Sequence, residues 1–444
     1  MSTRRTYRRT AVKKVNPETL AVISSEYSKS SSSVGLDIGK REIVVVIRWP
    51  DGVFESPWSV ENPSEIMHLV DLLKIVSEGC GDLRVGMEST GTYGEAVRRA
   101  LTEADLSVQR ISGKAASDYK EIFDGVPSQH DGKDAAIIAE LTAFGKGTSW
   151  PFQAPSEQEQ KIAHQTRRLD AFSKQTQNWV GRLEGLMAKH WPELSHKFSL
   201  MSWSVLNCLR DYGSPQQLAL DPEAGLKLRR WSRNRMTESR ISDLIDSAKF
   251  TNGVPPSNVE SQWIKEVAEE VYKARREVEM CEKRLEQILG DDAEMESMLK
   301  ILGATTLGVL LSTVGDPKNY DSSGAFLKAL GLNLKELSSG QRQGQRAITK
   351  RGPRLARKYL FYWALRMVND QAIAAWYVRF KKVGNSKGRD TEHRKMKGII
   401  ALARKLSRSL WYTRVHGLEF EPGKVFPGRP LDKPRRRRRR RVSP

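Results

Sequence analysis

The apolar positions of this 444-residue chain follow different rules in three successive stretches. In the first, residues 34–38 and 43–49 are dense in Val and Ile and predict two strands, with Pro50-Asp51-Gly52 turning the chain into a third over residues 53–60. Residues 64–78 carry Ile66, Val70, Leu73 and Val76 at the spacing of one helix face, and the glycines at 79 and 81 stop that helix. A short strand over 83–87, a helix over 95–103, a strand over 107–111, a polar stretch and a helix over 131–144 complete the pattern.

Past Pro155 the composition turns to Gln, Glu, Lys and Arg around an apolar stripe: Ile162, Leu169, Phe172, Thr176, Trp179, Leu183 and Leu186. A second stripe, Val267, Val271, Ala274, Val278, Cys281, Leu285 and Ile288, alternates spacings of four and three. Two such helices predict an antiparallel hairpin, an intermolecular coiled coil, or two helices packed on a domain core. A third stretch, mostly helical, begins near Leu299. The expected fold class is therefore α/β plus α. Its parts are a basic disordered tail over 1–30, an α/β domain over 31–150 and a coiled-coil or helical linker with a basic insertion over 151–296. A mostly helical domain over 297–418 and an Arg-rich disordered tail over 419–444 follow.

Charge changes the picture next. The chain carries 74 Lys and Arg against 53 Asp and Glu, a net charge of +21. Much of the excess is terminal: residues 1–15 hold six cationic side chains and no acid, and residues 424–444 hold ten against Asp432 alone. Such tails attract phosphate backbones by counterion release, so nucleic acid is the expected partner, with a solvated solubility tail as the plainer alternative. Cys80, Cys208 and Cys281 lie far apart without a Cys-x-x-Cys, which argues against a zinc knuckle or a disulfide framework and fits a reducing cytoplasm. No apolar run approaches the roughly 18 residues of a membrane span.

Candidate chemistry sits at strand ends. Asp37 closes the first strand between Gly35 and Gly39, Glu88 closes the strand over 83–87, and Asp131 and Asp134 share one face at the start of the helix over 131–144. Hard carboxylate oxygens with no competing His or Cys set suit a divalent cation, Mg²⁺ above others. The plainer readings are turn formation for Asp37 and charge complementing the helix dipole for the Asp pair. Farther on, Arg229, Arg230, Arg233 and Arg235 interleave with Trp231, a pattern that suits phosphate contact with base stacking or a solvated helix face.

Three antiparallel strands, then helix, strand, helix, strand, helix, is the order of the ribonuclease H fold. The segments Gly35-Leu36-Asp37-Ile38-Gly39-Lys40, Gly86-Met87-Glu88-Ser89-Thr90-Gly91-Thr92-Tyr93-Gly94 and Asp131-x-x-Asp134-Ala135 together resemble the Asp-Glu-Asp-Asp (DEDD) transposases of insertion sequences, whose N-terminal domain is RuvC-like. Gln129-His130 stands where that family usually has Lys-Thr. Near the C-terminus, residues 301–316 resemble the family's helix-hairpin-helix-like segment. Phe326-Leu327-Lys328-Ala329-Leu330-Gly331-Leu332, Ser338-Ser339-Gly340 and Ile348-Thr349-Lys350-Arg351-Gly352, with Arg357 beyond, continue the match.

The resemblance implies a DNA recombinase that excises and inserts its own element, acting on double-stranded DNA at the element ends and the target. It implies guidance by a structured non-coding bridge RNA, a dimer or tetramer, a prokaryotic, nucleoid-associated cytoplasmic location and no membrane. It assigns metal binding to Asp37, Glu88, Asp131 and Asp134. Ser339, the serine immediately before Gly340, becomes a nucleophile forming a transient phosphoserine bond to DNA, with Arg342, Arg346, Lys350, Arg351 and Arg357 as phosphate contacts in a polar loop. The alternatives are a metal-dependent nuclease of the Holliday-junction type that leaves the serine idle, and a non-catalytic nucleic-acid scaffold.

Overall fold

The computed structural model describes residues 9–89, 91–126, 130–339, 342–382 and 391–427. The chain divides into two compact units, Met1–Ala154 and Pro155–Pro444. The helical linker and the C-terminal domain expected as separate regions thus fall in one unit. No single described helix is long and apolar enough to cross a membrane.

The first unit is built on a seven-stranded mixed sheet: β1 (Thr10–Ala11), β2 (Ser31–Ile38), β3 (Glu42–Arg48), β4 (Trp58–Glu61), β5 (Asp82–Glu88), β6 (Ser107–Ile111) and β7 (Thr148–Ser149), in spatial order β1-β4-β3-β2-β5-β6-β7. The β2-β3-β4 meander is antiparallel, while β5 and β6 add parallel to β2. Helices α1 (Pro17–Ser25), α2 (Ile66–Gly79), α3 (Glu95–Glu103), α4 (Gly113–Asp124) and α5 (Asp131–Ala143) complete it. The central strands read as nearly unbroken apolar runs because both faces are covered. Leu36, Val45, Val85 and Met87 are fully buried with Leu69, Leu73 and Val97 in one core, whereas Val44 and Val46 pack with Ala135 and Ala136 of α5.

Three expectations about this unit need correction, and in the second unit residues 419–427 are not a disordered tail, since Pro422–Val425 is helical and Phe426 is buried in the core. Residues 10–30 are not a disordered tail: β1 pairs with β4, Asn16 caps α1 by accepting from the Glu18 and Thr19 N–H groups, and Val12 and Leu20 are buried. The third strand shrinks from 53–60 to β4, since residues 53–57 meet the sheet only through an Arg48–Phe54 bridge. The polar stretch after β6 is helix α4, which buries Ala116 and leans Tyr119 and Phe123 onto the α5 side of the unit.

Two glycines let α5 lie close on the sheet. A Cβ on Gly35 would stand 1.9 Å from the Ala135 carbonyl oxygen and 2.4 Å from the Ala139 nitrogen; one on Gly86 would stand 1.9 Å from Thr142 Oγ1. Gly35→Ala is therefore expected to destabilise the first unit by about 4 kcal/mol or more, because backbone rather than a mobile side chain blocks the methyl. Gly181→Ala, in a helix with nothing within 4 Å of the new carbon, is expected to be neutral or to gain about 0.5–1 kcal/mol. Circular-dichroism melts of the two variants compare them directly; a Gly35→Ala melt matching the parent would refute the close packing.

The second unit hangs on an antiparallel pair, α6 (Glu157–His190) and α12 (Asn258–Gly290), each opened by a Ser capping box. Gln158 bonds Asp292, Arg168 pairs with Glu277 and Lys189 with Glu260, which fixes the opposed direction. This is the hairpin arrangement, formed within one chain. One core gathers at the Leu183–Met187 end of α6 with α7 (Pro192–Lys197), α8 (Trp203–Tyr212), α9 (Pro215–Leu220), α10 (Ala224–Trp231) and α11 (Glu238–Lys249). The other joins Ile162, Leu169, Cys281 and Leu285 to the C-terminal elements: α13 (Glu296–Leu302), α14 (Ala304–Val314), α15 (Ser323–Ala329), α16 (Arg354–Met367), α17 (Gln371–Lys382), α18 (Thr391–His416) and α19 (Pro422–Val425). Gly303, at φ +76°, joins α13 to α14.

Between α15 and α16 the chain forms a two-stranded hairpin, β8 (Leu334–Ser339) and β9 (Arg342–Ile348), where a polar loop was expected. The sequence there lacks β-branched density, and the pairing runs from Leu334–Ile348 to Ser339–Arg342 with a register shift between Leu337 and Ser339.

Candidate active site

Parallel pairing brings the first two carboxylates together. Leu36 of β2 lies opposite Met87 of β5, so the next residues, Asp37 and Glu88, reach the same sheet end on adjacent strands. Helix α5 runs against β2 in the opposite sense: Ser33 Oγ donates to the Ala139 carbonyl, and Gly35 sits under Ala135. The first turn of α5, with Asp131 and Asp134, consequently arrives at the end of β2 that carries Asp37.

Burial pushes the Asp37 carboxyl up to about 6, and the negative charges of Asp134, Asp131 and Glu88 push the same way against Lys120. Glu88 is raised by burial and then by Asp134. Asp37 thus feels three other carboxylates from a half-buried place, where an added cation is electrostatically favoured. Two cations of the chain already answer it: Lys120 Nζ lies 2.8 Å from Asp134 Oδ1, and an Arg9 Nη lies 2.6 Å from Asp131 Oδ2 while the other holds Glu42 at 2.8 Å. In this arrangement no three His, Cys, Asp or Glu among the described residues stand close enough to share one metal ion. The oxygen-only donor set and the mutual repulsion around Asp37 nevertheless fit a hard divalent cation.

The support around these groups was not visible in the sequence pattern. Lys133 is 1 % exposed, and its ammonium reaches Asp124 at 2.7 Å and the Val126 carbonyl at 2.6 Å, fastening the end of α4 to the start of α5. His130 supplies the cap that a Thr would: its Nδ1 accepts from the Lys133 N–H, and burial lowers its pKa, keeping that nitrogen unprotonated near neutrality. Asn62 Nδ2 donates to the carbonyls of Gly39 and Tyr93, tying the loop after β2 to the loop after β5. Lys120 and Arg9 are the site residues that the sequence reading missed. An i, i+3, i+7 pattern of Ala116, Tyr119 and Phe123 could have revealed α4 and hence Lys120.

Lys120→Met tests the charge balance. Leaving Asp134 beside Asp37 and Glu88 without its ammonium is expected to cost about 1–3 kcal/mol of metal-free stability, discounted for the partial exposure of the pair. Millimolar Mg²⁺ is expected to return more stability to this variant than to the parent, as thermal melts with and without the ion would measure.

The remaining candidates scatter over the second unit. Ser339 ends β8 with its backbone paired to Arg342, and the side chains of both lie outside the described residues. Arg346, Lys350 and Arg351 are exposed beside the hairpin, Lys350 at φ +58°. Arg357 is turned inward instead: its guanidinium donates to the Gly352 carbonyl at 2.5 Å and the Leu330 carbonyl at 3.5 Å, and burial lowers its pKa. Arg229 ion-pairs with Glu238, while Arg230, Arg233 and Arg235 are exposed around the end of α10. The runs over 1–8 and 428–444, including Arg435–Arg441, lie outside the described residues.

Residues 34–192 match the DEDD family of IS110 type, described as Transposase, and residues 298–378 match the Transposase IS116/IS110/IS902 family. The transposase for insertion sequence element IS1328 of Yersinia enterocolitica is 32% identical over 146 residues, 32% of this chain and 42% of that protein. An insertion element IS110 uncharacterized 43.6 kDa protein of Streptomyces coelicolor is 24% identical over 314 residues, 69% of this chain and 77% of its own length. The matched part thus spans less than half of the first relative and about three quarters of the second.

Proposed function

We propose that this chain, which carries both transposase domains and so belongs to the IS110 family of transposases, cuts and rejoins DNA to excise and insert its own insertion element. What supports the reading is that Asp37, Glu88, Asp131 and Asp134 approach one end of the sheet, near enough for the other three charges to raise the Asp37 pKa, on strands and a helix held by Gly35, Gly86 and Lys133. These four would hold a divalent ion, Mg²⁺ by its preference for hard oxygen donors, which when bound supplies charge neutralisation at the scissile phosphate.

The chain's own groups do the rest. Lys120 and Arg9 hold Asp134 and Asp131 in place before the substrate arrives. Ser339 attacks a DNA phosphorus: the Ser Oγ–P bond forms as the hydroxyl gives up its proton, one P–O bond to the sugar breaks, and the leaving sugar oxygen takes up a proton. The bond order at phosphorus is conserved, so a second DNA end can reverse the step and be joined. Arg342, Arg346, Lys350 and Arg351 offer positive charge to the phosphate flanks. The reaction requires the carboxylates and the serine to meet on one phosphate, within one chain or between chains of a dimer or tetramer. A structured guide RNA from the element, pairing with both DNA partners, supplies sequence choice in this reading.

The test is strand cleavage on a plasmid carrying the element ends, with the element's own transcripts added. Cleavage is expected with Mg²⁺ and is expected to vanish with EDTA. Undiminished cleavage in EDTA would overturn the metal role; no cleavage under any condition, with DNA binding intact, would favour a scaffold.

A further inference from the structure

A groove of about 1100 Å³ lies in the second unit between α8, the end of α10, the start of α11 and one face of α12. Seven cations line it, and six of them, Arg230, Arg233, Arg235, Arg240, Arg276 and Lys283, are exposed. Arg240 stacks on Phe198, and among the described residues none of the six has a carboxylate partner. The acid in the wall, Glu279, is already engaged: it accepts from Trp203 Nε1 at 3.2 Å and lies 3.6 Å from Arg275.

Aromatic rings are set among these charges. Trp203 stands edge-on to Tyr272 at 4.9 Å with the Arg275 guanidinium over its face at 4.1 Å, the Arg210 guanidinium lies over the Tyr272 ring at 3.9 Å, and Trp231, also in the lining, stands against Tyr212. The turn that presents the cations closes α10 as a Schellman C-cap. Arg233 and Asn234 both adopt left-handed backbone, at φ +52° and +59°, and their N–H groups bond the Arg230 and Arg229 carbonyls.

Taking the nucleic-acid activity proposed above as its premise, we propose that this groove holds a single-stranded stretch of nucleic acid, its phosphates on the six cations and its bases against Trp203, Trp231 and Tyr272. A strip of unpaired cations beside aromatic rings is the pattern that holds unpaired strands without reading sequence. A duplex keeps its bases stacked inside and offers the rings nothing. RNA and DNA single strands share this chemistry, and the test separates them.

The test uses the full-length chain carrying Asp37→Asn, so that the outcome does not depend on cleavage. Labelled oligo-U RNA, oligo-dT DNA and a DNA duplex, each roughly 12 nucleotides long to suit site sizes of this kind, are titrated against it and against the added pair Arg276→Glu and Lys283→Glu. Both positions are exposed on α12, and a melt checks folding. Single-strand affinity is expected to fall about 10- to 100-fold with a salt slope shallower by about 1 to 2, and duplex affinity to fall less than about threefold. Whichever of RNA or DNA binds more tightly in the parent, and loses more in the variant, is the groove's strand. Equal losses for single strand and duplex, or none, would overturn the proposal. Photo-crosslinking with thio-uridine or bromo-deoxyuridine oligonucleotides gives a readout independent of the variant: adducts are expected within residues 199–240 and 272–283, and adducts confined to the terminal tails would overturn it as well.

Discussion

Asp37→Asn is expected to abolish strand cleavage and, in metal-free buffer, to raise the melting temperature. The two effects have one cause. The Asp37 carboxyl is raised from 3.8 to about 6 by burial and by three other carboxylates, so its charge costs folding stability until a cation offsets it. The sign follows from linkage. The folded state binds the proton more tightly than the unfolded chain, so the penalty is absent below the unfolded value, grows as pH rises toward about 6, and is complete above it. A shift of roughly two units bounds the gain at about 3 kcal/mol, and the side chain's partial exposure reduces the expectation to about 1–2 kcal/mol at neutral pH.

The amide keeps the shape and one acceptor oxygen but removes the charge that would hold a cation. Cleavage is expected to drop on the order of 10³-fold or more, since several kcal/mol of charge stabilisation at the phosphate go with the metal. Melting curves between pH 4 and pH 8 and a cleavage time course measure both. The stability gap should close toward pH 4, and Mg²⁺ should raise the melting temperature of the parent but not of the variant. An Asp37→Asn protein that cleaves at the parental rate would remove the residue from the site, and one that melts lower would mean that its charge is already compensated in the metal-free fold.

Much of this site was legible because its carboxylates mark element ends. A strand ending in Asp between glycines, a second ending in Glu and a helix opening with an Asp pair are local signals, and the parallel β2–β5 pairing that unites the first two follows from the order of elements. What compensates them was not legible. Arg9 reaches Asp131 across 122 positions of sequence, from a stretch whose charge density reads as a tail. Lys120 rides on a helix whose buried face is Ala, Tyr and Phe between charged residues, too weak a stripe to stand out. The groove was half visible for the same reason: the Arg–Trp alternation around α10 is contiguous, whereas Arg275, Arg276 and Lys283 occupy the outward face of a helix whose apolar stripe had already been explained by packing on α6. The hairpin β8–β9 went unseen because Lys335, Glu336, Gln343, Gln345 and Arg346 carry no strand periodicity.

Ser339→Ala is expected to eliminate a covalent protein–DNA adduct that the parent chain forms and Ser338→Ala retains. The choice between the adjacent serines rests on the resemblance of Ser338-Ser339-Gly340 to a family motif whose serine precedes glycine, and both end a strand that reverses directly into β9. A strand-end serine is by itself an ordinary turn residue, so the assignment stands or falls on the bond it makes. Serine is a weak nucleophile until its proton is removed. In the mechanism proposed above, the carboxylate site supplies that activation. That dependence gives the experiment its second arm. DNA carrying an element end is incubated with each variant in Mg²⁺, denatured, and resolved for protein that stays attached to a labelled strand. Parent and Ser338→Ala should give the adduct, while Ser339→Ala and Asp37→Asn should both fall on the order of 10³-fold or more, one for want of the nucleophile and the other for want of its activation. An adduct surviving in Ser339→Ala but lost in Ser338→Ala would move the nucleophile by one residue. Cleavage without any adduct, dependent on Asp37 and indifferent to both serines, would leave a metal-dependent nuclease in which water attacks the phosphate, and the rejoining of ends would then need a hydroxyl from the DNA itself.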